Sequence, residues 1–236
     1  MSSIHIEKIS ITDLKTDAIV NAANKHLAQG AGVCGYIFDG AGAAEMTEAC
    51  RKIGRCETGH AVITPGFRLP AKYVIHAVGP IWMGGDLGEP QLLYSAYKES
   101  LKVAKENDLH SIGFPLISAG IYGYPLEGAW QQAIQACRDF LEENSDHEME
   151  IIFAVLDDRI KEIGERYFTV VDKNGGLIQE ELTPAQVDAI QQAQATLSIE
   201  DMKMSTEGIL EIGKMLKGEM TREQYQQALK ENYKAK

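Results

Sequence analysis

The sequence predicts an α/β domain with a mainly parallel sheet, followed by a smaller helical segment. Up to residue 170, short apolar runs alternate with longer amphipathic stretches, a pattern typical of strands that alternate with helices. Two of these runs lead directly into glycine-rich loops. Beyond residue 172 the strand signals stop, which indicates a domain boundary there.

The apolar runs predict five buried strands, and an alternating segment at residues 4–9 predicts an outer strand. The buried runs span residues 18–21, 61–64, 73–78, 111–115 and 151–156. Helices are predicted at residues 43–53, 89–106, 125–143 and 158–168. These helices would cover both faces of the sheet, and ligands of such sheets bind beyond the carboxyl ends of the strands.

The segment beyond the boundary consists of a linker and short amphipathic helices. After the linker-like sequence DKNGG, Thr183, Pro184 and Gln186 form a helix start, with a capping hydroxyl group and a proline in the first turn. We therefore expect a domain at residues 1–172, a linker at 173–182 and a helical module at 183–236.

Composition excludes several function classes. The 236 residues contain 23 basic and 34 acidic side chains, a net charge of −11 without a basic block, which argues against nucleic acid as the main partner. The four cysteines lack the paired spacing of a zinc site, and no run reaches the ~20 apolar residues of a membrane span. We expect a cytoplasmic protein without a membrane partner, a bound metal or a cofactor.

Two glycine-rich loops predict a phosphate site. Gly30, Gly32 and Val33 follow one strand and open a helix, whose first turn presents unpaired backbone N–H groups that favour anions. A second loop of this kind spans residues 114–123. One such loop is often an ordinary tight turn, but two at strand ends indicate a diphosphate ligand.

Four longer strings resemble the macrodomain family. They are DAIVNAAN, GAGVCGYIFDGAG, CETGHAVITPGFRLPAKYVIHAVGPIW and FPLISAGIYGYP. The resemblance covers most of residues 4–170. It implies a three-layer α/β/α sandwich with a mixed six- or seven-stranded sheet, and it implies ADP-ribose as the ligand.

The resemblance also implies the site residues. Asn24 matches the asparagine that holds the proximal ribose, and it is the implied catalytic residue; Asn21 would brace the loop from below. Leu156 matches the apolar neighbour of the adenine. The implied ligand-binding residues are Ser10, Ile11, Ala22, Asn24, Gly30, Gly32, Val33, Cys34, Ser118, Ala119, Gly120, Ile121, Tyr122 and Leu156.

Three positions depart from the family pattern. Cys34 and Phe38 stand where similar hydrolases have a water-activating aspartate and a histidine, and Ser10 replaces an aspartate that binds the adenine amino group. Asp39 follows Phe38 directly, but one residue further along a helix lies about 100° round it, so Asp39 does not substitute for the missing acid. General-base assistance contributes ~10²–10⁴-fold to rates, so both a hydrolase and a non-catalytic reader remain open. We expect the hydrolase, because viral-type macrodomains with a small residue at this position still hydrolyse.

Cysteine and histidine side chains offer alternative chemistry. Cys34, in the first turn of a helix, is either a reactive thiol or a small buried side chain, and we expect the buried side chain. His76 is interpreted as a core histidine. The same interpretation is applied to His26, His60 and Trp82, although His26 and Trp82 also suit the mouth of the cleft.

The last segment resembles the three-helix antitoxins that restrain Fic adenylyltransferases. Thr196, Glu200 and Asp201 match their inhibitory motif, (Ser/Thr)-x-x-x-Glu-(Gly/Asn), except that Asp201 replaces glycine or asparagine. The resemblance implies a Fic toxin as partner, with Glu200 paired to a toxin arginine. An oligomerisation or docking tail explains the same amphipathic pattern.

Overall fold

A computed structural model describes residues 2–168 of the chain, and the side chains of residues 2–166. The helices expected at residues 183–236, including Thr196, Glu200 and Asp201, lie outside the described residues. The boundary at residue 172 therefore stays a prediction.

The described residues contain a mixed sheet of six strands. The strands are β1 (Ser3–Lys8), β2 (Ala18–Ala22), β3 (Ala61–Pro65), β4 (Tyr73–Ala77), β5 (Ser111–Phe114) and β6 (Glu150–Val155). Their order across the sheet is β1-β6-β5-β2-β4-β3. All neighbouring pairs are parallel except β3 and β4, which are antiparallel. The predicted strands agree with the observed ones to within one residue at each end, and β1 is an outer strand as expected.

Within residues 2–168, five α-helices accompany the sheet. They are α1 (Val33–Ala41), α2 (Ala43–Ile53), α3 (Glu89–Glu106), α4 (Leu126–Glu143) and α5 (Asp158–Phe168). A short 3₁₀ helix at Ile11–Asp13, which the sequence pattern did not predict, connects β1 to β2. The four helices expected at residues 43–168 are confirmed, with α4 starting one residue later than predicted.

Alternate side chains of the strands pack into two separate cores. On one face, Ile19 and Ile152 join a cluster that includes Ile37, Phe38 and Met46 of α1 and α2. On the other face, aromatic rings of β5 and β6 contact rings of α3 and α4 in one continuous group. Its members are Tyr97, Phe114, Trp130 and Phe153. Both faces of the sheet are therefore covered.

The topology determines where a ligand site can form. The strands β1, β2, β4, β5 and β6 are linked by parallel pairings, so their carboxyl ends lie at one edge. From β2 the chain continues toward β3 and β4, whereas from β5 it continues to β6 on the opposite side. Loops that leave neighbouring strands in opposite directions open a crevice between them, and the two glycine-rich loops follow these two strands.

Candidate functional site

The first glycine-rich loop, residues 23–32, is shaped by the side chain of Asn24. Its Oδ1 accepts hydrogen bonds from the backbone N–H groups of His26 and Ala28, at 3.1 and 3.2 Å. Its Nδ2 donates to the carbonyl oxygen of Ala28 at 2.7 Å. Leu27 lies between them with a φ of 55°. Since an amide nitrogen carries two hydrogens, Asn24 keeps one donor for a ligand.

The first loop ends at the amino terminus of α1. Gly32 occupies the N-cap position with a φ of 62°, and no side chain caps the helix. The first helical hydrogen bond runs from the Tyr36 N–H to the Gly32 oxygen, which leaves the N–H groups of the first turn for an external acceptor. The uncapped amino terminus of α1 therefore lies where the sequence predicts an anion site.

Cys34 is integrated into the first loop. Its side chain is only 4% exposed, and its Sγ accepts a hydrogen bond from the Gly30 N–H at 3.3 Å. The thiol also faces the Ala28 oxygen at 3.8 Å. Reactive cysteines are solvent-accessible, so this burial favours the structural interpretation of Cys34.

The second glycine-rich loop, residues 115–124, folds back on itself. The N–H groups of Gly123 and Tyr124 donate to the oxygens of Gly120 and Ser118, at 2.9 and 3.0 Å. Ser118 has a φ of 65°. Within residues 2–168, the N–H groups of Gly120, Ile121 and Tyr122 donate to no protein group. A second set of free backbone donors therefore lies beside the first.

Residues distant in sequence hold the second loop. The buried hydroxyl of Tyr97 accepts a hydrogen bond from the Ile117 N–H at 2.8 Å and donates to the Pro115 oxygen at 3.3 Å. Burial raises the pKa of this phenol far above its usual value. A Cβ at Gly79 would approach Ser118 Oγ to 2.2 Å, so only glycine fits there. No sequence pattern predicted a role for Tyr97 or Gly79 in the site.

Trp82 and Tyr122 connect the second loop to its surroundings. The Trp82 N–H donates to the Tyr122 oxygen at 2.9 Å, and the Trp82 ring lies 4.6 Å from that of Tyr124. The pKa of Tyr122 is raised, first by burial and then by the thiol of Cys34.

The loop from β4 to α3 has an anchor of its own. Glu89 is buried, and its carboxylate accepts hydrogen bonds from the N–H groups of Met83, Gly85 and Leu87, at 3.0, 3.2 and 2.6 Å. These bonds hold the segment that presents Trp82 to the second loop. Glu89 was not predicted from the sequence either, because its partners are backbone groups.

A buried polar cluster lies beneath the first loop. Asn21 Nδ2 donates to His76 Nδ1 at 3.1 Å, and His76 Nε2 lies 2.9 Å from Thr64 Oγ1. Burial lowers the pKa of His76 to about 4, so the imidazole is neutral. His76 is a core histidine as expected. Asn21, however, contacts β4 and does not bond directly to the loop.

The core interpretation is wrong for His26 and His60, because both side chains are exposed. For His26 this exposure agrees with the alternative position at the mouth of the cleft. Trp82 is half-buried beside the second loop, in agreement with a position at the cleft mouth.

The remaining predicted ligand residues also follow strand ends. Ser10 and Ile11 lie just beyond β1, and Ser10 Oγ is 2.8 Å from Thr12 Oγ1. Ala22 is the last residue of β2. Leu156 comes directly after β6 and is 67% exposed. Asp39 is exposed, and its carboxylate accepts a hydrogen bond from Gln29 at 2.9 Å.

Comparisons with known proteins agree with this geometry. The Macro domain family model matches residues 20–133. A macro domain-containing protein of Chlorobaculum tepidum is 51% identical over 156 residues, which cover 66% of this chain and 90% of that protein. This chain belongs to the macrodomain family.

Relatives of this macrodomain, and solved structures of similar proteins, have names that mention ADP-ribose or ADP. A protein of Citrobacter rodentium named O-acetyl-ADP-ribose deacetylase is 46% identical over 172 residues, 71% of this chain and 96% of that protein. The Oceanobacillus iheyensis macrodomain with ADP superposes with a TM-score of 0.64 at 37% identity, covering 68% of this chain and 86% of that one. The Trypanosoma brucei macrodomain in complex with ADP-ribose gives 0.65 at 38% identity, covering 70% and 68%.

Among the described residues, no helix is both long and apolar enough to cross a membrane.

Proposed function

We propose that this macrodomain binds ADP-ribose across its two glycine-rich loops and hydrolyses ADP-ribosyl esters. The observation that carries this proposal is the pair of loops with free backbone N–H groups at the ends of the neighbouring strands β2 and β5. Each phosphate of a diphosphate would accept hydrogen bonds from one loop. The names of the Citrobacter rodentium relative and of the Trypanosoma brucei complex support the same ligand.

The proposed substrates are O-acetyl-ADP-ribose and proteins that carry mono-ADP-ribose on an acidic side chain. In both cases water cleaves an ester, and the products are a carboxylic acid and ADP-ribose. Asn24 would donate its remaining Nδ2 hydrogen to the ribose next to that ester.

The reaction would proceed without a protein carboxylate as general base at the first loop. The thiol that stands in place of the aspartate is buried and engaged with Gly30 and Ala28. A phosphate oxygen of the substrate would then accept the proton of the attacking water. We expect no metal ion or cofactor in this step.

Ester hydrolysis tests the proposal. Purified full-length protein is incubated with a protein mono-ADP-ribosylated on glutamate and, separately, with O-acetyl-ADP-ribose, and released ADP-ribose is quantified. We expect release by the wild type and a loss of at least about tenfold in Asn24→Ala. Equal release by both proteins would contradict the role of Asn24, and the absence of release would contradict the hydrolase.

The second candidate function is a non-catalytic ADP-ribose reader, which the burial of Cys34 at the place of the missing acid favours. Calorimetric titration with ADP-ribose separates the two functions. Binding without hydrolysis would identify a reader. If Gly120→Glu retained full affinity despite its added charge and bulk, the ligand would bind elsewhere.

For residues 183–236 we propose inhibition of a Fic adenylyltransferase through Glu200, on the strength of the sequence resemblance alone. The toxin would be co-expressed with the wild-type chain and with Glu200→Gly, and cell growth compared. Loss of protection in the variant is expected. Equal protection would favour the alternative of a docking or oligomerisation tail. A Fic toxin as partner and the two proposed ester substrates both fit the cytoplasmic location expected from the sequence.

A further inference from the structure

Three potential metal ligands meet at the sheet edge opposite the glycine-rich loops. One ligand atom each of Asp108, His110 and His147 lies within 4.8 Å of the other two. Asp108 and His110 belong to the segment before β5, and His147 belongs to the segment before the neighbouring strand β6. The Glu150 N–H donates to the His110 oxygen at 2.8 Å, which fixes these two segments to each other.

Backbone carbonyl groups determine the tautomers of both histidines. His110 Nδ1 lies 2.8 Å from the Glu148 oxygen, and His147 Nε2 lies 2.8 Å from the Leu109 oxygen. A carbonyl oxygen only accepts hydrogen bonds, so each of these nitrogens carries the hydrogen of the neutral ring. The lone pairs are therefore on His110 Nε2 and His147 Nδ1.

This arrangement is typical of histidines that bind metal ions. Such histidines donate the hydrogen of one ring nitrogen to a carbonyl or carboxylate group, which orients the ring and leaves the other nitrogen as the ligand. The two rings are stacked, with their centroids 4.5 Å apart and their planes 24° apart. Rings so nearly parallel cannot both direct a lone pair at one ion, so the exposed ring of His110 would turn toward the ion while the buried ring of His147 stays in place.

The carboxylate of Asp108 completes the group. Its Oδ1 lies 3.6 Å from His110 Nε2, one of the two lone-pair nitrogens. The backbone of Asp108 has a φ of 55°. His147 is buried, whereas His110 and Asp108 are exposed. An ion would therefore approach from the solvent side, past Asp108 and His110, and bind the buried His147 as its innermost ligand.

We propose that Asp108, His110 and His147 bind a Zn²⁺ ion through His110 Nε2, His147 Nδ1 and the Asp108 carboxylate. Two imidazoles and one carboxylate are a ligand set that zinc uses, with water in the fourth position. Imidazole ligands exclude Mg²⁺ and Ca²⁺ as the preferred ions. The ion would tie the segment before β5 to the segment before β6 and stabilise the fold.

The sequence-based expectation of no metal relied on cysteine spacing. The two histidines are far apart in the chain, and only the parallel pairing of β5 with β6 brings their segments together. Each histidine alone gives no spacing signal of the kind that identifies zinc sites in sequences.

Metal titration of the full-length protein tests the site. After treatment with a chelator and its removal, ZnCl₂ is titrated by calorimetry, and CoCl₂ is titrated in parallel while its visible absorption is recorded. We expect one equivalent of Zn²⁺, a rise in melting temperature, and the intense visible bands of four-coordinate cobalt. His110→Ala should weaken Zn²⁺ binding at least about tenfold, and Asp108→Asn should weaken it less.

His60→Ala is the matched control, because His60 is an exposed histidine on a different loop; we expect it to bind Zn²⁺ as the wild type does. The two test variants change exposed side chains, so they avoid the risk that a substitution of buried His147 prevents folding. The proposal fails if the wild type binds no Zn²⁺, or if His110→Ala binds it as tightly as the wild type does.

Discussion

The two glycine-rich loops of this macrodomain are stabilised in different ways. The first loop is organised largely from within, by the side chains of Asn24 and Cys34, which bond to backbone groups four to six residues away. The second loop depends on Tyr97 and Gly79, and Trp82 binds it through a backbone hydrogen bond. The first loop is thus held mainly by its own side chains, with a backbone hydrogen bond from the Cys56 N–H to the Lys25 oxygen, whereas the second loop requires more of the assembled fold.

The difference indicates how each loop responds to change. A local loop keeps its shape as long as its own side chains are intact, whereas a loop held from outside changes whenever a distant support is altered. Each loop nevertheless contains one non-glycine residue in the left-handed region, Leu27 or Ser118. Such backbone strain clusters at functional sites, which agrees with a ligand role for both loops.

Acidification should affect the polar cluster beneath the first loop most strongly. The pKa of His76 is lowered from 6.5 to about 4 in the folded protein, so the unfolded chain binds more protons between these values. The free energy of unfolding should fall as the pH decreases from 6.5 to 4, by about 3 kcal/mol from this group. Above pH 6.5 this contribution is fully present.

Urea denaturation at a series of pH values measures this effect. His76→Gln should lose less stability than the wild type over the same pH range, since only the wild type must protonate a buried imidazole. Parallel pH profiles for the two proteins would show that His76 does not control the acid response.

Removing the Tyr97 hydroxyl group tests the external support of the second loop. Tyr97→Phe leaves the Ile117 N–H and the Pro115 oxygen without their buried partner, and we expect a loss of about 2.5 kcal/mol in the free energy of unfolding. The affinity for ADP-ribose should fall as well, because the free N–H groups of the loop would no longer be held in place. Tyr36→Phe, at an exposed position, should change neither quantity, and a similar loss in both variants would contradict the explanation.

A methyl group at Gly79 should displace the second loop without removing any hydrogen bond. Its Cβ would come within 2.2 Å of Ser118 Oγ and 2.6 Å of Ile117 Cγ2, and such overpacking costs about 2 kcal/mol. Gly120→Ala is the matched control for stability, because a Cβ there meets no atom within 4 Å. Equal unfolding free energies for the two variants would mean that the loop moves without cost.

The sequence predicted the strands and the first loop well, because the signals for both are local. Apolar runs identify the strands, and the partners of Asn24 lie within four residues of it. Tyr97 and Gly79 are 18 to 39 residues away from the residues of the second loop that they contact, and no short pattern identifies them. Exposure of His26 and His60 was also unpredictable, since it depends on which loops the helices cover.

The smallest effect should come from Asn24, because its bonds stay within one half-buried loop. Asn24→Ala removes three side-chain hydrogen bonds, and solvent can replace part of them, so we expect a loss of about 1.5 kcal/mol in the free energy of unfolding. Asn24→Asp keeps the acceptor for His26 and Ala28 and loses the donor to the Ala28 oxygen. It should therefore retain more stability than Asn24→Ala while losing the donor proposed for the ribose. If the aspartate variant bound ADP-ribose as the wild type does, the function of Asn24 would be confined to shaping the first loop.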